Sequence, residues 1–588
     1  MGSVQATLAG ISGGRIRNVR LPSLRLTRRV WLITALLIAI IWLSYRGLSQ
    51  PPAILRCRCF PGDECWPSSL EWQLFNRTID GRLIATDMLA APCHDPHYDA
   101  VECDKLRNKW LLPDTHYESS SSIMSPWFTN GTCSPFSPQS ELCTLGNHVS
   151  FAVKVSKPSH ISRTLEFAKR NNIRVVVRNT GHDYNGRSTG AGSIAIWTHH
   201  LKDLQVQEYS NRFYSGKVMK LGAGVQAREA FELANRTGLH IVGGECPTVG
   251  LAGGFSTGGG HSALSSKYGL GADQIVALEV IDANGEVKAA NPYHNADLFW
   301  ALRGGGGGTF GVVWSMTVKV YPSVPVSGAN LTFTNEGISQ DVFFKAIGQF
   351  HETLPSLVAK GATAIYYFTN TSFTISPITG PDLPVDQLEK LLSPYTNYLS
   401  ERGIKYTAQF RQFNTFYDQH TEMMNEIPVG VAQYGSWLIP RSTVIKKNDN
   451  LMDIGRYITD NGGTVIGVGL DVSQSSTDKT DNSVLPAWRD ALLLLVVTTP
   501  WSFEAPRSDM AALHARTTNE FIPKLKALAP SSGAYLNEAD FNQPDFQKAF
   551  FGKNYDRLKA IKQKYDPDNV FWVLKDMYMK NIKISMPP

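Results

Sequence analysis

Three glycine-rich segments constrain the fold of this chain more than any other feature. They read RNTGHDYNGRSTG at 178–190, GGECPTVGLAGGFSTGGG at 243–260 and LRGGGGGTFGVV at 302–313. Glycine permits positive φ angles and lets backbone amides approach an anion or a flat ring closely. A flexible linker is the alternative for the middle segment, but apolar residues such as Leu251 and Phe255 are interleaved with its glycines. The three segments therefore predict packed loops that bind a large anionic ligand.

A nicotinamide dinucleotide is not the ligand that these loops favour. A Rossmann phosphate turn needs G-x-G-x-x-G directly between a strand and a helix, with an acidic residue about 20 residues later. That order is absent here. The 178–190 loop instead follows a buried strand and can present several backbone amides to a pyrophosphate.

Two reactive side chains lie within the loops. Cys246 has four possible roles: a packed thiol, a nucleophile, half of a disulfide or an attachment point for a bulky group. Nucleophilic catalysis would need a base and an orienting group, which nothing near Cys246 in the sequence supplies. His182 follows Gly181, and a lone histidine is most often a satisfied core or surface residue. Neither residue identifies a function without its context.

Strands and helices alternate from Phe151 onward, which predicts an α+β protein. The first α+β unit is expected at 146–324, with a hairpin that turns at Asn284-Gly285, and a second at 325–534. A last segment, 535–588, contains a lysine-rich amphipathic helix that Asp566-Pro567 ends, and its lysines are expected at the surface. The pattern predicts strands at 151–156, 173–178, 193–198, 217–224, 309–322, 363–370 and 464–473, and helices at 159–172, 225–238, 295–304, 340–354 and 553–565.

The N-terminal region predicts a membrane anchor. Residues 30–45 carry no charge and are bracketed by arginines, and as a helix they would span about 24 Å, close to the ~27 Å core of the endoplasmic reticulum bilayer. Arginines in the basic tail 1–29 place that tail in the cytosol, so a signal anchor at 30–46 would leave the rest lumenal or extracellular. A signal peptide cleaved after Gly47-Leu48-Ser49 and a buried core helix are the alternatives.

The same arginines explain the net charge of +6. Six of them and no acidic residue lie within 1–29, and the remainder is close to neutral. No RNA-binding pattern of aromatic and basic residues is present either. The charge therefore gives no indication of a nucleic-acid surface, and no nucleic-acid partner is expected.

Cysteine usage agrees with export. Seven of the eight cysteines lie between Cys57 and Cys143, which is typical of a disulfide-stapled region, here 50–145, in an oxidising compartment. A zinc site is the alternative, but the C-R-C spacing lacks the paired C-x2-C of a structural site. Because seven is odd, at least one of these thiols is left over. Glycosylation sequons are present at Asn76, Asn130, Asn235, Asn330 and Asn370.

In combination, these motifs resemble the berberine bridge enzyme-like oxidases. The three glycine-rich segments, HSALSSKYGLGADQIV after the second of them and NYDRLKAIKQKYDPDNVFW near the C-terminus all carry the resemblance. RCRCFPGDECWPS at 56–68 is similar to fungal members found in secondary metabolism. The resemblance implies a two-part FAD-binding domain of the p-cresol-methylhydroxylase (PCMH) type at 146–324, an α+β substrate domain at 325–534 and a segment 535–588 that returns to the FAD domain.

The resemblance also implies a covalently bound cofactor. In that family the histidine of the G-H loop bonds to the flavin 8α-methyl and the cysteine of the G-x-C-P-T-V-G loop bonds to flavin C6, which here are His182 and Cys246. No metal is implied. Further residues expected to bind FAD are Arg178, Asn179, Thr180, Gly181, Gly186, Thr248, Val249, Gly250, Gly253, Gly254, Gly258, Gly259, Gly260, Tyr268, Gly269 and Asn554.

The catalytic base is the least determined residue. Plant members use a glutamate of the substrate domain, but the corresponding VAQYGSWLIPRS holds no acid. Tyr434 and Tyr535 are therefore the candidates, with Glu538 and Asp471 behind them. A tyrosine, with an ordinary pKa of ~10, would need a cationic or hydrogen-bonding neighbour to act as a base.

Three functions remain open. The first is a membrane-anchored FAD oxidase that takes a hydride from an alcohol, an amine or a ring-closing C–H of a hydrophobic specialised metabolite and passes the electrons to O2, releasing H2O2. The second is a secreted carbohydrate or oligosaccharide oxidase. The third is a non-redox cyclase, in which the flavin scaffold binds a polyene and templates a cycloaddition.

Overall fold

The computed structural model describes residues 58–424, 427–473 and 481–572. The predicted basic tail, the anchor at 30–46 and Cys57 lie outside these residues. Within them, no helix combines the length and the apolar character that crossing a bilayer would require.

The first half of the protein, up to residue 322, builds two main sheets. The strands are β1 (Leu83–Ala85), β2 (Phe151–Lys154), β3 (Arg174–Arg178), β4 (Ser193–Trp197), β5 (Leu204–Ser210), β6 (Ser215–Gly222), β7 (Leu239–His240), β8 (Ile275–Ile281), β9 (Val287–Ala290), β10 (Val312–Lys319) and β11 (Tyr321–Pro322). The helices are α1 (Ser69–Thr78), α2 (Ala100–Lys109), α3 (Pro113–Tyr117), α4 (Pro158–Arg170), α5 (Ala227–Arg236), α6 (Ser265–Tyr268), α7 (Gly271–Gln274) and α8 (Ala296–Ala301).

The smaller main sheet has the order β1-β2-β4-β3, in which β2, β4 and β3 are parallel. Parallel strands need a crossover connection, and α4 supplies the one from β2 to β3, between which β4 lies in the sheet. Its buried Ile161, Leu165 and Ala168 recur at helical spacing, which explains why this segment is an amphipathic helix. The larger sheet is antiparallel, β5-β6-β10-β8-β9, and β7 pairs only with β11. The loop after β3 therefore begins at a strand end, as the sequence predicts.

The second half builds one antiparallel sheet of seven strands in the order β15-β12-β14-β13-β17-β18-β16. These strands are β12 (Val326–Thr334), β13 (Thr363–Phe368), β14 (Ser372–Pro381), β15 (Tyr406–Phe413), β16 (Ala432–Pro440), β17 (Thr464–Gly469) and β18 (Ala491–Pro500). The helices are α9 (Gln340–Val358), α10 (Val385–Glu401), α11 (Phe416–Met423), α12 (Arg441–Lys446), α13 (Asn448–Asp460), α14 (Arg507–Arg516), α15 (Ile522–Leu528) and α16 (Tyr555–Tyr565). The sheet lies within the range expected for the substrate domain, whose boundaries stay a prediction.

The predicted strands and helices are present, with two corrections. Strand β5 has no counterpart among the predictions, because every residue of LQVQEYS is at least partly exposed and gives a weak hydrophobic signal. The lysines of α16 are not all at the surface: Lys562 is fully buried. Its ammonium lies 2.7 Å from the Asp566 carboxylate and donates to the carbonyls of Thr309 and Phe571.

The cysteine-rich region is stapled by three disulfides, which confirms the disulfide prediction. They join Cys59 to Cys65, Cys93 to Cys103 and Cys133 to Cys143. Each disulfide therefore links a cysteine to the next cysteine along the chain. Since the Cys59 and Cys65 sulfurs are bonded to each other, they are not available as zinc thiolates. Among the sequons, Asn130 is exposed whereas the Asn330 amide oxygen is buried, and glycosylation stays a prediction.

Candidate active site

The three glycine-rich loops meet at one cavity of about 270 Å³. Most of residues 179–188 line one part of it, and residues from within 244–257 and 307–313 line two others. Segment 427–429 contributes an apolar edge, and Tyr535, Asn537, Glu538 and residues 571–572 bring in the C-terminal segment. The cavity therefore unites the segments that the sequence analysis singles out separately.

His182 and Cys246 face each other across this cavity. The Cys246 sulfur lies 3.9 Å from His182 Nε2, and the Thr248 hydroxyl contacts both, at 2.7 Å from Nε2 and 3.3 Å from the sulfur. Cys246 takes part in none of the three disulfides. The fold thus brings two potential attachment points, which are 64 residues apart in sequence, to within 3.9 Å of each other.

The environment of His182 keeps its imidazole neutral. Burial lowers the pKa of His182 to about 3, and the nearby His116 acts in the same direction. A neutral imidazole has a ring nitrogen with a free lone pair, which an imidazolium lacks. The tautomer in which Nε2 donates its hydrogen bond to the Thr248 hydroxyl carries the free lone pair on Nδ1.

Asp183 shapes the loop that carries His182. Its carboxylate accepts hydrogen bonds from the backbone amides of Asn185, Arg187 and Ser188. These bonds fold the chain back on itself, as Asx-type turns do. The sequence analysis passed over Asp183, although an aspartate two residues before an Asn-Gly pair is a recognisable turn signal.

Close backbone approaches explain two of the glycines. A Cβ on Gly250 would lie 2.1 Å from the Asn179 amide nitrogen, and one on Gly307 would lie 2.8 Å from the Gly254 Cα. Any side chain at either position would push the loops apart. Gly250 therefore lets the 243–260 loop approach the 178–190 loop, and Gly307 lets the 302–313 loop approach the 243–260 loop.

The cavity fits the FAD that the sequence predicts. Glycine backbone forms much of its wall, and the amide oxygens of Asn179 and Asn185 are buried there without a protein hydrogen-bond donor. Buried amide oxygens normally have a donor, so these two can accept from a ligand. FAD offers such donors in its ring and ribityl chain.

Some predicted cofactor-binding residues do not line the cavity. Arg178 is fully buried beside it and donates to the carbonyls of His116 and Ser119. Tyr268 packs on Tyr321, with ring centroids 4.2 Å apart. Asn554 donates to the carbonyls of residues 483 and 484, and its role in FAD binding stays a prediction. The lining also excludes Gly186, Thr248, Gly258, Gly259, Gly260 and Gly269, whereas Thr180, Gly181, Val249, Gly250, Gly253 and Gly254 belong to it.

The two tyrosines proposed as bases are held in their neutral form. Burial raises the pKa of Tyr535, and the charge of Glu538 adds to the rise, although Asn537 donates to its hydroxyl at 2.8 Å. Burial likewise raises the pKa of Tyr434, whose ring stacks on Tyr184 at 3.9 Å. The negative charge of Glu538 acts on both hydroxyls in the direction that favours the neutral form.

The two carboxylate candidates differ in position. Asp471 is ion-paired with Arg441 and is not part of the cavity lining, whereas Glu538 is. Glu538 contacts a histidine that the sequence analysis missed, His261, whose Nε2 lies 2.9 Å from the Glu538 carboxylate. On its other side, His261 Nδ1 is 3.2 Å from the Glu245 carboxylate. All three residues line the cavity.

The comparisons with known proteins agree with this site. A family model described as "FAD binding domain" matches residues 149–291, and one described as "Berberine and berberine like" matches 534–575. The chain is an FAD-linked oxidoreductase and belongs to the berberine bridge enzyme-like family of vanillyl-alcohol-oxidase (VAO)-type flavoproteins. These matches confirm the family resemblance, the PCMH-type FAD fold and the enzyme class that were predicted from the sequence.

Its relatives match it over most of their length. The FAD-linked oxidoreductase ZEB1 of Gibberella zeae is 46% identical over 88% of this chain and 92% of the relative. The FAD-linked oxidoreductase patO of Penicillium expansum is 45% identical over 88% and 91%. Among solved structures, the VAO-type flavoprotein MtVAO615 from Myceliophthora thermophila has a TM-score of 0.85 and 38% identity, covering 89% of this chain and 97% of that one.

Proposed function

We propose that this enzyme is an oxidase with FAD bound through His182 and Cys246, and that it passes electrons from a small hydrophobic metabolite to O2, releasing H2O2. When bound, the flavin supplies hydride acceptance at the reacting C–H. The main support for this proposal is that the Cys246 sulfur lies 3.9 Å from a neutral His182 imidazole. Two independent nucleophiles at one cavity are what a doubly tethered ring requires.

The chain's own residues would then bind and orient the substrate. Ile427, Pro428 and Val429 form an apolar edge of the cavity, and the Ile427 side chain is about half exposed. Apolar contacts at a cavity mouth favour an apolar substrate. An alcohol, an amine or a ring-closing C–H of a specialised metabolite fits this edge better than a sugar, whose hydroxyls would remain without partners there.

A second function is favoured by one relative. The bifunctional decalin synthase calF of Penicillium decumbens is 35% identical over 88% of this chain and 92% of its own length. Its name keeps a ring-forming role open for this chain. A sugar oxidase has less support: glucooligosaccharide oxidase from Acremonium strictum is described with a 6-S-cysteinyl, 8α-N1-histidyl FAD, but at 19% identity it shares only the fold.

Peroxide release separates the three functions. The enzyme is assayed with oxygen against hydrophobic alcohols and amines, conjugated polyenes and cello- and chito-oligosaccharides, with the His182→Ala/Cys246→Ala variant as the control. We expect peroxide from the hydrophobic donors and none from the control. Peroxide confined to the sugars would favour the carbohydrate oxidase, and polyene products that form without oxygen or peroxide would favour the cyclase.

We also propose, on the sequence alone, that residues 30–46 anchor the protein in a membrane and leave the catalytic region lumenal or extracellular. Three disulfides in the region that follows agree with an oxidising compartment. We expect the full chain to stay in the membrane pellet after alkaline carbonate extraction and a chain starting at Gln50 to be released. Release of the full chain would instead support a cleaved signal peptide.

A further inference from the structure

A charged triad at the active-site cavity is formed by Glu245, His261 and Glu538. His261 lies between the two carboxylates, 3.2 Å from Glu245 at Nδ1 and 2.9 Å from Glu538 at Nε2. The histidine side chain is 8% exposed, Glu245 18% and Glu538 24%, so the carboxylate of Glu538 is the most accessible group. Glu245 lies near the start of the 243–260 loop and His261 directly follows it, whereas Glu538 comes from the C-terminal segment.

The charges in the triad are determined by the pairing. Burial alone would lower the pKa of His261, but the charges of Glu538 and Glu245 outweigh it and raise the pKa well above its ordinary value. His261 is thus an imidazolium, and a triad with both carboxylates ionised carries a net charge of −1. One negative charge is therefore available at the cavity wall.

The groups that face the triad do not neutralise this charge. The Tyr535 ring packs edge-on against His261, with ring centroids 5.3 Å apart. Burial raises the pKa of both Tyr184 and Tyr434, and the charge of Glu538 adds to the rise. On the other side, His420 bonds the backbone carbonyl of Glu245, and burial lowers the pKa of His420. Cys246 is the chain neighbour of Glu245.

A metal site does not account for this arrangement. The carboxylates contact opposite nitrogens of one imidazole, so the three residues cannot direct their ligand atoms at one ion. A purely structural ion pair is the other explanation, but buried charges are costly and often no more stabilising than apolar packing. Active sites often contain such buried charged groups, because the charge takes part in the reaction even though burying it costs stability.

We propose that Glu538 accepts the hydroxyl or amine proton of the substrate, and that His261 and Glu245 position it and hold its charge. The inference rests on the proposed oxidase function. In the step, a bound flavin would accept a hydride, two electrons and one proton, from the substrate C–H, and the Glu538 carboxylate would take the O–H or N–H proton, so that the substrate leaves as a carbonyl or imine. Glu538 lines the cavity and is the most exposed carboxylate of the triad, which gives a substrate access to it.

The coupling is measurable without knowing the substrate. The midpoint potential of the purified holoenzyme is followed against pH, with xanthine, xanthine oxidase and reference dyes as the reductant system. For a two-electron reduction, each additional proton that is bound makes the midpoint potential fall by about 29.6 mV more per pH unit. Over part of the pH range, we expect the plot of potential against pH to be steeper for the wild type than for Glu538→Gln by about this amount. The reason is that a reduced flavin would favour binding of a proton at Glu538.

His261→Gln tests the positioning role. It removes the cation that stabilises the Glu538 charge, so we expect the steep part of the profile to move to higher pH, and Glu245→Gln to move it in the same direction by less. Glu504→Gln, at an exposed glutamate, is the control and should match the wild type. A structural role would lower the melting temperature of the triad variants without moving the profile.

The possible failures are distinguishable. A wild-type and a Glu538→Gln profile of equal slope, both with flavin bound, overturn the inference and leave the proposed oxidase intact. An unmoved profile in His261→Gln overturns the positioning role even if Glu538→Gln does not fold. Protein that purifies without any flavin overturns both the proposed function and the inference that rests on it.

Discussion

Replacing His182 and Cys246 together by alanine will release essentially all flavin from the enzyme on acid precipitation. Each single variant will keep yellow colour in the pellet, because the other attachment point remains. The expectation follows from geometry: the two side chains converge on one cavity, the imidazole is neutral, and the sulfur takes part in no disulfide. The measurement is the absorption spectrum of pellet and supernatant after precipitation.

The matched control for this experiment is His240→Ala. His240 is also a buried histidine whose pKa burial lowers, to about 4, but it packs against Tyr268 and Tyr321 and does not line the cavity. The flavin of the His240→Ala variant should stay in the pellet. A colourless wild-type pellet with free flavin in the supernatant would contradict the covalent linkage, and a wild type without flavin in either fraction would contradict the use of this cavity.

Replacing Lys562 by methionine will destabilise the protein by about 3–5 kcal/mol, the usual cost of leaving one partner of a buried ion pair alone. Lys562 and Asp566 are both fully buried, and the ammonium also binds the carbonyls of Thr309 and Phe571. The free energy of unfolding from urea titrations, followed by tryptophan fluorescence, measures the loss. Because Phe571 lines the cavity, we also expect this variant to be purified with less flavin per protein.

Lys564→Met is the control on the same helix. Lys564 also pairs with an aspartate, Asp297, at 2.7 Å, but its side chain is 60% exposed. Exposed pairs contribute about 0–1 kcal/mol, since water screens both charges. Equal losses for the two lysine variants would mean that burial of Lys562 does not matter, and would contradict the anchoring role given to it.

Much of the candidate site was predictable because it is encoded locally. The loop around His182 and the loop around Cys246 are both glycine-rich, and their motifs are specific when taken together. The strands on either side of the His182 loop, β3 and β4, are short apolar runs, so their positions could also be predicted. Weak local signals limited the rest: β5 is at least partly exposed along its length, and α16 looks like a surface helix until Lys562 is seen buried.

The sequence by itself determined the FAD loops, the enzyme family and the existence of a disulfide-bonded region, because each of these depends on residue types at short spacing. Only the tertiary structure decided which cysteines pair, that Asp183 shapes the His182 loop, and that His261 lies between Glu245 and Glu538. His261 and Glu538 are 277 positions apart. Their contact arises from the packing of the C-terminal segment against the FAD loops, and packing of distant elements leaves no pattern in the residues beside either partner.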